Sequence, residues 1–181
     1  MNLKKLYLDN IVKYDFITKF NEKKKYFTPK VTKVILEFKF KNSLNSDIIS
    51  SLLALELITN QKPVILLSRN DKNLNLKIKS GSPIGCTVTL RKDYMNNFLF
   101  YLFFVKLPYS NSLKNIIITD IKHKNITFNF KDLSIFDFIE DNYYLFKNLK
   151  GLTVSLITNS NNSIVTSFLM NSLKVPTRKI R

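Results

Sequence analysis

Apolar and polar positions alternate with period two in several short stretches of this chain and follow a helical period in others. Residues 31–40 read VTKVILEFKF, with Val34, Leu36, Phe38 and Phe40 set against Lys33, Ile35, Glu37 and Lys39. That alternation predicts a strand with one buried and one polar face. From Ile84 the same rhythm returns. Ile84, Cys86, Val88 and Leu90 point one way, and Gly85, Thr87, Thr89 and Arg91 point the other. Short strands are also predicted over 64–67, 75–79, 116–121, 125–130 and 152–158. Helical spacing marks 3–20, through Leu3, Leu6, Tyr7, Ile11, Tyr14, Ile17 and Phe20. It marks 45–59 through Ile49, Leu52, Leu53 and Leu57, with Ser46 as N-cap and Pro63 beyond the stop. A strongly apolar helix capped by Asp93 is predicted to run to Lys106. The last helix, 162–173, carries Ile164, Val165, Phe168, Leu169 and Leu173 on one face.

Glycine sharpens this outline. The chain has three in 181 residues, and two of them, Gly81 and Gly85, flank Pro83. A sequence so poor in glycine uses it where the backbone needs a positive φ or a close approach. The stretch 81–91 therefore reads as a sharp turn feeding a strand, with a polar basic loop (68–73) upstream. No repeat, linker or composition break interrupts the chain. The expected fold is α+β: one domain over 1–181, a mainly antiparallel sheet with helices packed on one face, and a long basic hairpin loop. Residues 1–30 form an N-terminal helix and basic segment, and 174–181 a basic tail.

Charge then narrows the partners. Lys and Arg number 29 against 13 Asp and Glu, a net +16. Self-repulsion of that size calls for a polyanion to supply counter-charge. The membrane alternative is weak, because the most apolar run, 98–105, is far shorter than the roughly 20 residues a spanning helix needs. The start, MNLKKLYLDN, has neither the apolar core of a secretory signal nor the arginine- and serine-rich pattern of a transit peptide. Lone Cys86 rules out internal disulfides and cysteine metal clusters, and suits a reducing compartment. An excess of Lys, Asn, Ile and Phe, with 15 Phe and no Trp, is what AT-rich codons produce. It points to an organelle's or a parasite's genome.

Candidate chemistry follows. His123, between Lys122 and Lys124, has no serine or cysteine partner that spacing identifies, and Cys86 faces the core of its strand. Asp137, Glu140 and Asp141 match no metal loop, and neither nucleotide-binding glycine pattern is present. No metal, cofactor or catalytic residue is expected, and an enzyme is the least supported reading. Cations able to reach phosphates form two groups. One is Lys23, Lys24, Lys25 and Lys30. The other is Arg69, Asn70, Lys72, Asn73, Lys77 and Lys79, beside the polar strand face of Thr87, Thr89 and Arg91.

The run Gln61-Lys62-Pro63-Val64, a basic loop, then Gly81-x-Pro83-Ile84-Gly85-x-x-Val88-Thr89-Leu90-Arg91 resembles the large-subunit ribosomal protein five family. That family's pattern is GQKP, a basic loop, G-x-P-I-G-x-x-V-T-L-R, and a helix ending in Leu-Pro. Here Tyr94-Met95, Phe98-Leu99 and then Leu107-Pro108 follow in order. Thr18-Lys19-Phe20-Asn21, Pro29-Lys30-Val31, Ile135-Phe136, Lys150-Gly151-Leu152-x-Val154 and Lys174-Val175-Pro176 extend the resemblance over nearly the whole length.

The resemblance implies a non-enzymatic constituent of the large subunit's central protuberance, contacting large ribosomal RNA, 5S ribosomal RNA and neighbouring protuberance proteins. It implies a loop at 69–80 approaching the P-site transfer RNA, and Thr89 facing 5S RNA. It also implies a bridge to small-subunit protein thirteen through roughly 109–124, with Tyr109, Asn111, Lys114, Lys122 and Lys124. With the composition, it implies a mitochondrial ribosome and an organelle-encoded chain; another AT-rich organelle or a bacterial cytoplasm is the alternative. One departure stands out. Where the family's first strand ends in N-x-G-x-G, this chain reads Glu37-Phe38-Lys39-Phe40-Lys41, placing a carboxylate where an amide meets RNA. The rival to a ribosomal protein is a free-standing nucleic-acid-binding module built on the same sheet. Neutralising Arg69 and Lys72 together is expected to leave folding intact, weaken transfer-RNA-side function, and lower the salt slope of RNA binding by about two. An unfolded double variant would place those residues in the core instead.

Overall fold

The computed structural model describes residues 7–20, 29–40, 45–69, 79–109, 116–122, 125–149, 151–160 and 162–173. Six strands form one sheet: β1 (Val31–Lys39), β2 (Val64–Leu67), β3 (Pro83–Leu90), β4 (Ile116–Lys122), β5 (Asn125–Phe130) and β6 (Leu152–Thr158). Their order is β2-β3-β1-β6-β5-β4, and every neighbouring pair is antiparallel. Strand 75–79 of the sequence reading lies outside the described residues. The other predicted strands are present.

The alternation holds in the sheet. Val34, Leu36 and Phe38 of β1 are buried and lie in register with Leu90, Val88 and Cys86 of β3. Val154 and Leu156 of β6 continue this layer, as do Ile126, Phe128 and Phe130 of β5. The described helices cover that side alone. They are α1 (Lys13–Phe20), α2 (Asn45–Thr59), α3 (Lys92–Phe100), α4 (Asp137–Asp141), α5 (Tyr143–Phe146) and α6 (Ser163–Ser172). A π-helical turn, Leu8–Val12, leads into α1, and another, Tyr101–Lys106, extends α3 towards Leu107–Tyr109. Buried Phe103 from that extension meets Phe128 edge-on at 6.1 Å between ring centroids. α1 docks on α6 through Phe16, Phe20 and Phe168, whose centroids lie 4.9–5.8 Å apart. The Tyr7 hydroxyl donates to the Ser172 carbonyl at 3.1 Å, tying the same two segments.

Several expectations are corrected. The buried side of α2 carries Ser51, Ala54 and Leu55, while Ile49 and Leu53 face outward. Small residues let this helix sit close to β3, and that decides its orientation more than the count of aliphatics does. Ser46 is inside α2 rather than its cap, and its hydroxyl bonds the Asp47 carboxylate at 3.4 Å. Asp93 likewise lies in the first turn of α3, whose cap position is Arg91, with no side-chain capping bond. On α6, Ile164 is exposed, and Thr166 and Met170 take its expected place inside. α2 ends on Asn60, at φ 52°, with its N–H donated to the Glu56 carbonyl at 2.8 Å. Asparagine tolerates this left-handed cap where the family pattern has glycine.

Gly81 and Gly85 serve two different needs. Gly81 turns the chain at φ +82°, in open space. Its N–H is given to the Ser68 carbonyl, and the Ser68 N–H to the Ser82 carbonyl, each at 2.9 Å, which closes the neck of the basic hairpin loop. Gly85 lies against β1, where an added Cβ would stand 2.5 Å from the Phe38 carbonyl oxygen. Gly85→Ala is therefore expected to destabilise by about 1–3 kcal/mol through forced strand separation, and Gly81→Ala by about 1 kcal/mol through its backbone conformation alone. Denaturant titration of both variants checks the ranking, and a harmless Gly85→Ala would contradict it.

Candidate nucleic-acid interface

Among the described residues, the sheet's second side carries no helix, and its side chains come from the other phase of each strand. Register lines them into rows. Val64 of β2 faces Thr87 of β3, Thr87 faces Glu37 of β1, Glu37 faces Thr153 of β6, and Thr153 faces Asn129 of β5. One step along lies a second row of Thr89, Ile35, Ser155 and Thr127. With strands about 4.8 Å apart, the five strands present a surface roughly 19 Å across. Hydroxyls and amides dominate it, and the Thr127 and Ser155 hydroxyls lie 3.4 Å apart. The Thr87 hydroxyl oxygen is buried without a hydrogen-bond partner. An orphan of this kind costs about 1–3 kcal/mol until something bonds to it.

Cations border the rows. Lys39 is exposed, one step from Glu37 and in register with Gly85. Half-buried Lys33 pairs in register with Ile157. Arg91 is exposed just past the end of β3. Lys30 is exposed at the start of β1, where its N–H bonds the Asn159 side-chain oxygen at 2.7 Å and its carbonyl accepts the Asn159 N–H at 3.1 Å. The end of β1 nearest the basic N-terminal segment is thus fixed to the end of β6. Glu37 is the carboxylate at the centre of the first row, and Asp120 of β4 lies in register with Thr127 at the end of the second.

One stretch of the helix side has the opposite character. Residues 132–146 contain Asp132, Asp137, Glu140 and Asp141 and no lysine or arginine. All four acids are exposed. Asp137 bonds Lys106 and, chiefly through that bond, raises the lysine's pKa above its ordinary value. These acids form a solvated helix edge, as expected from the sequence, and no metal-holding group of side chains occurs among the described residues. Cys86 is fully buried, and desolvation pushes its thiol pKa up despite bonds to Ser51 and the Phe38 backbone. That environment makes it an inert core residue. No helix among the described residues is long and apolar enough to cross a membrane.

Among the residues singled out from the sequence, the structure brings Thr87 and Thr89 onto one face and leaves Arg91 and Lys30 at its border. Arg69 and Lys79 are exposed at the neck of the hairpin loop, where the Ser80 hydroxyl bonds the Arg69 carbonyl at 3.3 Å. Lys23, Lys24, Lys25, Asn70, Lys72, Asn73 and Lys77 lie outside the described residues, as do Asn111, Lys114, His123 and Lys124. Tyr109 ends the last turn after α3, and Lys122 ends β4. The sequence reading set Lys33 and Lys39 on the polar side of their strand without counting them among the RNA-binding residues, and it missed Thr127, Asn129, Thr153 and Ser155. Their place in the polar phase of predicted strands was a signal available for them, but strand order was not.

A model of the C-terminus of the ribosomal protein L5 family matches residues 83–177. The large ribosomal subunit protein uL5m of Reclinomonas americana is 32% identical over 182 residues, spanning 99% of this chain and 100% of that protein. The large ribosomal subunit protein uL5 of Wolbachia pipientis subsp. Culex pipiens (strain wPip) is 30% identical over 176 residues, spanning 96% and 97%. The chain belongs to the ribosomal protein L5 family, and is a structural, non-enzymatic constituent of the large ribosomal subunit.

Proposed function

We propose that this protein holds ribosomal RNA of the central protuberance against its open sheet face. The observation that carries this reading is the open side of the sheet, where rows of threonine, serine and asparagine are bordered by Lys30, Lys33, Lys39 and Arg91. Cations there neutralise phosphates and release counter-ions, and hydroxyls bond phosphate and sugar oxygens, including the 2′-hydroxyl. A flat surface of this kind reads backbone shape rather than base sequence.

The finer roles rest on the resemblance and on charge. The basic loop from Arg69 to Ser80 is the part proposed to approach P-site transfer RNA, since its neck projects Arg69 and Lys79 into solvent. The bridge to small-subunit protein thirteen is assigned to 109–124. The acidic stretch 132–146 on the helix side repels RNA and suits protein neighbours instead. A mitochondrial ribosome, with the chain encoded in the organelle, fits both the uL5m relative and the AT-rich composition. The free-standing RNA-binding module is separated by sedimentation: a ribosomal constituent travels with large subunits and stays there at moderate salt.

Glu37 gives this interface a sign that can be measured. A carboxylate in the middle of a phosphate-binding face opposes binding by roughly 1 kcal/mol at contact distance in water. It weakens 5S RNA in particular, where the family pattern has an amide, and leaves large ribosomal RNA and protein contacts to hold the chain. Glu37→Gln is expected to tighten 5S RNA binding about fivefold at low salt, with the gain shrinking as salt rises. Filter binding across a salt series tests it. Unchanged or weaker affinity would remove RNA from this part of the face.

A further inference from the structure

We propose that β2 is a docking edge, paired in the assembled particle with an extended segment of a neighbouring protein that acts as a seventh strand. This rests on the ribosomal placement given above. Among the described residues, β2 hydrogen-bonds to β3 on one side and forms the margin of the sheet on the other. A margin strand leaves a row of backbone N–H and C=O groups open to pairing.

The side chains of β2 make this margin unusual. Val64, Ile65 and Leu67 are 63%, 41% and 57% exposed, whereas the inward apolar residues of β1, β3, β5 and β6 are buried. Val64 lies on the open face in register with Thr87, and Ile65 on the covered face in register with buried Cys86. Apolar surface is therefore exposed above and below the same short edge. α2, which packs against the adjacent β3, turns Ile49 and Leu53 outward as well, at 65% and 42% exposure. Counted together over both sides of this margin, these five aliphatic side chains leave on the order of 500 Å² uncovered.

The chemistry selects the occupant. No charged residue stands between Lys62 and Arg69. Edge strands that remain in water are commonly protected by lysine along the strand, and β2 has none. An aliphatic strand without cations gives RNA phosphates nothing to bind. A second copy of this chain is disfavoured too, because the patch falls below the roughly 800 Å² per partner of stable interfaces. Each copy would also bring its own +16. A segment of a neighbour already fixed in the particle needs little area, since tethering raises its effective concentration. Main-chain pairing supplies its affinity, and aliphatic residues at alternate positions cover Val64, Ile65 and Leu67. Lys62 and Arg69 at the two ends suit a segment with acidic rather than basic flanks.

The test uses the full chain in purified large subunits, with a photo-crosslinking residue placed at Leu67, which lies in neither of the polar rows. Crosslinks to one aliphatic stretch of a single neighbouring protein, spaced at alternate residues, are the expected result. The amides of β2 should then exchange more than about tenfold more slowly in the subunit than in the isolated protein. A Leu67→Lys variant should melt and bind ribosomal RNA like the parent, yet lower the occupancy of that neighbour by more than about tenfold. Crosslinks to RNA or to another copy of this chain would overturn the proposal. So would β2 amides that exchange equally fast in both states. Absence of the chain from large subunits would instead overturn the ribosomal placement, and this inference with it.

Discussion

The phase of β1 governs everything else in the molecule. This strand is paired on both sides, with β3 and with β6, so its odd and even residues decide which side of the sheet is core. Val34, Leu36 and Phe38 bury completely or nearly so, which commits Cys86, Val88 and Leu90 on one neighbour and Val154 and Leu156 on the other. A slip of one residue would carry Glu37 into the core and Leu36 into water. The close pass of Gly85 beneath the Phe38 carbonyl oxygen helps hold the register, because a larger residue there meets backbone rather than a yielding side chain. Core and open polar face are thus consequences of one pairing decision.

That decision also separates charge. The open side collects hydroxyls, amides and bordering cations, while the helix side exposes the acids of 132–146. A chain with a large positive excess can in this way present one face to RNA and another to proteins without the two competing. Glu37 cuts against the pattern. It stands between two threonines in the middle of the polar rows, where its charge repels any phosphate brought against them.

Strands β1, β3, β5 and β6 were legible in the sequence because period two has only two phases and their buried residues filled one of them, whereas β2 is aliphatic in both. Thr87, Thr89 and Arg91 were picked out on those grounds. Their partners on β5 and β6 were not, because nothing in a local pattern says that Thr153 will lie beside Glu37. The helices were legible as helices but not in orientation. Between Ile48 and Ile58, α2 is apolar almost all round, so its aliphatic spacing could not reveal that Ser51 and Ala54 face inward. The π-helical turn at Tyr101–Lys106 shifts the face of everything after Phe100, and a reading at 3.6 residues per turn does not see it. Glycine was the most informative residue: one of the pair around Pro83 takes a positive φ and the other a close approach.

The most direct test of the account is the map of protein–RNA crosslinks on this chain in isolated large subunits, read peptide by peptide. The account predicts ribosomal RNA attached to peptides of β1, β3 and β6, at residues of the open rows such as Lys39 and Thr89, and little on α2, α4 or α5. Crosslinks concentrated on the helix side, with the open rows unmodified, would contradict it.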